Sequence, residues 1–213
     1  MMENTAQDFW DWFLNNDKPY LFINEIEDQA EKDRLLDDFL THLHMYCDHL
    51  FFEIGGAEPE AKQEVIITAD GDLDYFSKVE ELISFAPYSE DWDFIAFIPP
   101  RDVSFSIEYE DLSMDPQDVY FLPLEDPDEP DSVCIRLGLK NFEEVCDSKW
   151  LRPCCFKLID AILGEKIFAQ DVKHIEIDQL PEEPSESGFL PLDRLPSYVQ
   201  WRKDQSSHNS DNY

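Results

Sequence analysis

Basic residues are scarce in this chain: 16 Lys and Arg stand against 49 Asp and Glu, a formal net charge of -33. A surface of that sign repels phosphate backbones, which argues against direct nucleic-acid binding through a basic groove. Long apolar runs are also missing. No stretch approaches the roughly 18 consecutive apolar residues that mark a membrane-spanning helix. The opening MMENTAQDFWDWF has no basic segment leading into an apolar run, so no secretory signal is expected. The cysteines Cys47, Cys134, Cys146, Cys154 and Cys155 are odd in number and lack framework spacing, which fits a reducing compartment and a cytoplasmic protein. Catalytic signatures are absent too: there is no G-x-S-x-G, Walker loop, G-x-G-x-x-G, H-E-x-x-H or C-x-x-C. So many carboxylates place some pair at glycosidase spacing by chance, so a pair of acids identifies nothing.

What is present is a core. Hydrophobic residues make up 43% and aromatic residues 14% of the 213 residues, far more than an acidic disordered polymer carries. A chain of this length buries about 70% of its extended surface. The expectation is one domain over residues 1–204, with 180–204 an extended segment wrapping the body and 205–213 a disordered tail.

Spacing predicts the elements. AQDFWDWFLNN sets Ala6, Phe9, Trp10, Phe13 and Leu14 on one helical face, and Trp12 falls off it. A second helix is predicted over about residues 24–48, capped by Asn24, with a stripe from Leu35 to Cys47. LFFEIG and EVIITA, separated by GAEPEAKQ, read as neighbouring antiparallel strands. A helix is predicted over about 74–85, ended by Pro87, then strands in WDFIAFI, SFSIEYE, VYFLPL and VCIRLGL. The last predicted helix spans about 149–163, with Pro153 in its first turn and Gly164 as its stop, and VKHIEIDQL follows as a strand. Strands that mostly follow one another predict an α+β fold with a largely antiparallel sheet and helices on one face. Without regular strand-helix alternation, a doubly wound parallel sheet is the weaker alternative.

Candidate sites fall in four stretches. TADGDLDYF carries Asp70, Asp72 and Asp74, which suggests a calcium loop. Counted from Asp70, however, its sixth position is Tyr75 instead of glycine, and a strand precedes it instead of a helix. The same residues suit a strand-to-helix turn with Asp72 or Asp74 as N-cap. In HLHMYCDH, His42 and His49 lie within about 20° of each other on a helix, but His44 and Cys47 face another side, so the four do not converge on zinc. Adjacent Cys154 and Cys155 are too close for an unstrained disulfide, though an early position in a helix could lower a thiol pKa. The acidic turn EDPDEPDS is held extended by Pro127 and Pro130. No catalytic residue, cofactor or metal is assigned, with Asp70, Asp72 and Asp74 kept as the metal candidates. Trp12, Arg101 and Arg136 are the candidate ligand or partner contacts, since cations in so acidic a chain are either paired with carboxylates or line an anion pocket.

FWDWF, ITADGDLDYFSKVEELISFAP and WDFIAFIPPR together resemble a group of bacterial α+β proteins that have no assigned activity. The resemblance covers the first half of the chain. It implies a soluble bacterial α+β protein and transfers no catalytic residue.

The functional expectation is a non-catalytic acidic module that binds a basic partner protein. The alternatives are an enzyme or small-ligand protein whose site is assembled only in the fold, or a charge that serves solubility alone. Oligomeric state is left open. Because like charges repel across the folded surface and the Debye length is about 10 Å at 0.1 M salt, moderate salt is expected to raise the melting temperature. A flat or falling value in a salt series followed by circular dichroism would contradict that.

Overall fold

Thr5 opens the first helix through a reciprocal cap. Its Oγ1 accepts from the Asp8 backbone N–H at 3.2 Å, while the Asp8 carboxylate accepts from the Thr5 N–H at 2.8 Å. The computed structural model describes residues 4–55, 62–102, 106–109, 112–129 and 132–210. It has an α+β fold with three mostly antiparallel sheets, and the chain divides into two compact units, Met1–Ile98 and Pro99–Tyr213.

In the first unit, α1 (Ala6–Asn16) is followed by the short α2 (Lys18–Leu21), which has Pro19 in its first turn, and by α3 (Gln29–Tyr46). The start of α3 differs from the predicted one. Ile23 is drawn into the core within a single 3-10 turn, Ile23–Glu25, and the helix begins only where the Asp28 side chain accepts from the Ala30 N–H at 3.0 Å. Strands β1 (Phe51–Gly55) and β2 (Gln63–Thr68) pair antiparallel as expected. Most of their connection, residues 56–61, lies outside the described residues. The next helix, α4 (Phe76–Ser84), crosses back so that β3 (Trp92–Ala96) pairs parallel to β2.

Alternation along these strands puts Phe52, Val65, Ile67 and Phe94 on one face, and the helices cover that face. Phe39 of α3 packs on Phe52 with ring centroids 4.1 Å apart, and Trp10 of α1 packs on Phe94 at 4.5 Å. The Trp10 indole N–H donates to the Leu82 carbonyl at 2.7 Å, tying α1 to α4. On the opposite face Glu64 and Asp93 are register partners, a like-charge pair that Lys62 offsets at 3.2 Å from Asp93.

The second unit opens with a hairpin, β4 (Ile107–Tyr109) and β5 (Leu112–Met114). Phe105 of the predicted strand lies outside the described residues. Then β6 (Val119–Leu124) and β7 (Val133–Leu139) pair antiparallel around the acidic turn, of which Pro130 and Asp131 also lie outside. Past α5 (Phe142–Val145) comes α6 (Leu151–Leu163), stopped at Gly164 with φ 77°, a backbone conformation that favours glycine. Two elements follow, α7 (Glu165–Asp171), which was not predicted, and β8 (Val172–Gln179), parallel to β7. The core gathers Phe121, Ile135, Leu137 and Ile175 from the sheet against Leu158 and Ile159 of α6.

The C-terminal segment corrects the expectation. Residues 180–204 do not run extended: β9 (Leu190–Pro191) pairs with β6, and α8 (Leu195–Ser210) follows, burying Leu195 and Val199. Pro196 sits in the first turn of α8, where a missing N–H costs no helical bond, so proline there marks a helix start. Residues 205–210, expected to be disordered, continue α8, and 211–213 lie outside the described residues.

Phe39 has no exposed surface and touches rings from α1, α2 and β1. Phe39→Ala is expected to lower the unfolding free energy by about 3–5 kcal/mol in urea titrations followed by tryptophan fluorescence. Phe22→Ala, at a 58% exposed position, should change it by no more than about 0.5 kcal/mol. Equal effects of the two would contradict this packing.

Candidate functional site

Two stretches that are well separated in sequence meet in the first unit. The helix α3 ends at Tyr46, and Cys47, in extended conformation, closes it by donating its N–H to the Leu43 carbonyl. Asp48 and His49 then lead into β1. The turn after β2 arrives beside them: the imidazole of His49 stacks on the Tyr75 ring, centroids 3.9 Å apart and planes 8° from parallel. Both residues line an open depression of about 960 Å³, at the upper end of the range for small-ligand pockets. Tyr46, Cys47, Asp48, His49, Tyr75 and Lys78 are among its lining residues.

The turn that carries Tyr75 is built by its own acids and glycine. Asp70 and Gly71 both have positive φ, 52° and 79°, which glycine adopts freely and aspartate tolerates. The Asp70 N–H donates to Thr68 Oγ1 at 2.8 Å, and the Asp74 N–H donates to Asp72 Oδ1 at 3.1 Å. Asp72 is therefore the N-cap, of a 3-10 turn (Leu73–Tyr75) that leads into α4. The three aspartates are exposed. Among the described residues no three His, Cys, Asp or Glu side chains are grouped to hold a metal ion.

Across the depression, Glu81 Oε2 collects two donors, the Lys78 ammonium at 2.8 Å and the Tyr46 hydroxyl at 2.9 Å. The Lys78 hydrogen bond, then the Tyr46 one, holds the Glu81 carboxyl below its ordinary value of 4.5. Burial first, then Glu81, raises the Tyr46 hydroxyl, and burial first, then Asp72, Cys47, Asp48 and Asp74, raises that of Tyr75. Neither phenol is thus a base near neutral pH, and Glu81 stays ionised as an acceptor. His44 is tied to the Leu50 carbonyl at 3.1 Å. Among the described residues no histidine is hydrogen-bonded to a serine, threonine or cysteine side chain, the pairing an activated nucleophile uses.

The other predicted positions have local partners. Trp12 is half-buried and stacks on His42 at 3.9 Å and 7°, while His42 Nδ1 lies 2.9 Å from the Asp38 carbonyl. In the second unit, Arg136 and Glu176 are register partners on β7 and β8, with Nε and Nη2 each 2.7 Å from the same carboxylate oxygen. Arg101 is exposed, and its backbone N–H donates to the Ala161 carbonyl at 2.7 Å. Arg152 lies over the Phe156 ring at 4.6 Å. Trp12 belongs to the first unit, and Arg101 and Arg136 to the second.

The suggested lowering of a thiol pKa at Cys154 and Cys155 is overturned. Both are fully buried in the second core, and burial pushes Cys155 up to about 12 and Cys154 up as well. The depression, by contrast, was not predicted. No local spacing links His49 to Tyr75.

Thiol reactivity tests this arrangement. A disulfide reagent at neutral pH should modify exposed Cys146 first and half-buried Cys47 more slowly, leaving Cys134, Cys154 and Cys155 unmodified until urea unfolds the chain. Rapid native labelling of Cys155, read by peptide mass spectrometry, would contradict the burial. In comparisons with known proteins, the chain matches no family model, no curated protein and no solved structure at a significant level.

Proposed function

We propose that this chain is a non-catalytic acidic module that binds a basic partner protein, in the manner of toxin-neutralising immunity proteins or nucleic-acid mimics. The supporting observation is where the charge lies. Residues 1–98 hold 24 Asp and Glu against 5 Lys and Arg, and residues 99–213 hold 25 against 11, so both units are acidic and the first is more one-sided. Among the described residues Glu165 is the sole buried carboxylate, so nearly all of the described acids reach solvent. Several cations are already engaged at home: Arg34 with Glu31, Lys78 with Glu81, Arg136 with Glu176 and Lys140 with Asp118. The negative potential left over speeds and selects encounter with a basic surface and disfavours nucleic acid.

No helix among the described residues is long and apolar enough to cross a membrane. Five unpaired cysteines suit a cytoplasmic setting, which belongs to this proposal.

The test is a pull-down with the full chain from bacterial extract. A partner of basic composition should be retained at low salt and released as ionic strength rises, and its association rate should fall steeply with salt. Retention only of acidic or neutral proteins, or an association rate indifferent to salt, would overturn the proposal.

A further inference from the structure

The open depression in the first unit combines three properties. It is concave, with about 960 Å³ between the end of α3 and the turn before α4. Its walls offer apolar and aromatic surface: Met45 is 48% exposed, and Tyr75 presents a ring that is half-buried. Its rim is anionic. Asp48 lines it, and Asp72 and Asp74 stand on the turn that carries Tyr75, all three exposed. Among the described residues none of these three carboxylates is paired with a lysine or arginine, and Asp48 has only the neighbouring His49 at 3.7 Å.

The same depression already shows how it handles a cation. Lys78 is held there with its ammonium 2.8 Å from Glu81 and 5.4 Å from the centre of the Tyr46 ring, a carboxylate and an aromatic face sharing one charge. Tyr75 also lines it, and burial first, then Asp72, Cys47, Asp48 and Asp74, raises its hydroxyl. A bare metal ion is poorly served, because among the described residues no three ligating side chains are grouped. A long side chain with an apolar stem and a charged head suits both wall and rim.

We propose that this depression is the docking point for a lysine or arginine side chain of the basic partner, with its stem against Met45 and Tyr75 and its head toward Asp48, Asp72 and Asp74. The inference rests on the reading of the chain as an acidic module and adds where the partner anchors. It predicts that three carboxylates out of 49 matter more than their share of the charge.

The experiment titrates the isotope-labelled full chain with a hexapeptide of alternating lysine and arginine at low salt, followed by NMR. Two charge-matched triple variants are compared with it. Asp48→Asn/Asp72→Asn/Asp74→Asn neutralises the rim, and asparagine at position 72 preserves a good N-cap. Glu27→Gln/Asp37→Asn/Glu90→Gln removes three exposed acids elsewhere in the same unit. Expected are shift changes concentrated at residues 44–49 and 72–78, an affinity loss of at least about fivefold in the rim variant, and a loss of less than about twofold in the control. Tyr75→Leu should weaken binding without altering net charge. Equal losses in both triples, shifts spread evenly over the acidic surface, or no binding at all would overturn the docking site. A basic partner from the pull-down that binds the rim variant as tightly as the native chain would sink the docking site and leave the module reading standing. Specific peptide binding in the depression, with only acidic or neutral proteins captured, would do the reverse.

Discussion

Desolvating a carboxylate without a partner costs several kcal/mol, and that constraint governs how this chain folds. With 49 acids among 213 residues, nearly every element must present an outward face to hold them. The apolar residues are correspondingly concentrated. In the first unit Phe9, Trp10, Phe13, Tyr20, Phe39 and Trp92 are almost wholly buried, and in the second the sheet residues Phe121, Ile135 and Leu137 pack against α6. The one buried carboxylate among the described residues, Glu165, is the first residue of α7.

Some of the negative charge also has local structural work that needs no cation. Asp8, Asp28, Asp72 and Asp115 each accept a backbone N–H at the start of a helix or 3-10 turn, where the exposed amides and the helix dipole favour an anion. Asp126 does the same within the acidic turn, accepting from the Asp128 N–H at 2.9 Å. A motif that looks like a cation loop is thereby satisfied by backbone. Capping leaves a carboxylate its charge and its second oxygen, so Asp72 still adds to the anionic rim of the depression beside Tyr75.

Much of the architecture was legible in residue order. Apolar spacing at three and four located α1, α4 and α6, short apolar runs bounded by turn formers located β1, β2, β6 and β7, and Gly164 stopped α6 where expected. The failures have physical causes. Residues 24–28 contain two competent caps, and burial of Ile23 decided for Asp28 over Asn24. The expectation of an extended 180–204 fails because Pro196 occupies the first turn of α8, where proline is tolerated. The parallel pairings of β2 with β3 and β7 with β8 follow from helical crossovers whose return direction no local pattern records. Spacing sets Trp12 off the apolar face, whereas in the structure its ring packs against Phe39 and Tyr20 and is covered by His42.

By itself the sequence determined the sign of the surface, the α+β class, the Asp72 and Gly164 caps and the apolar stripes of the main helices, because those depend on composition and on neighbours three or four positions away. Tertiary structure decided that the strands divide among three sheets in two units, that Arg136 is spent on Glu176, and that Cys155 is a buried thiol. It also brought the end of α3 against the TADGDLDYF turn, so that His49 rests on Tyr75. The antiparallel pairing of β1 with β2 sets that meeting, since it returns the chain to the level at which it left α3. No side-chain pattern within either stretch encodes the distance between them.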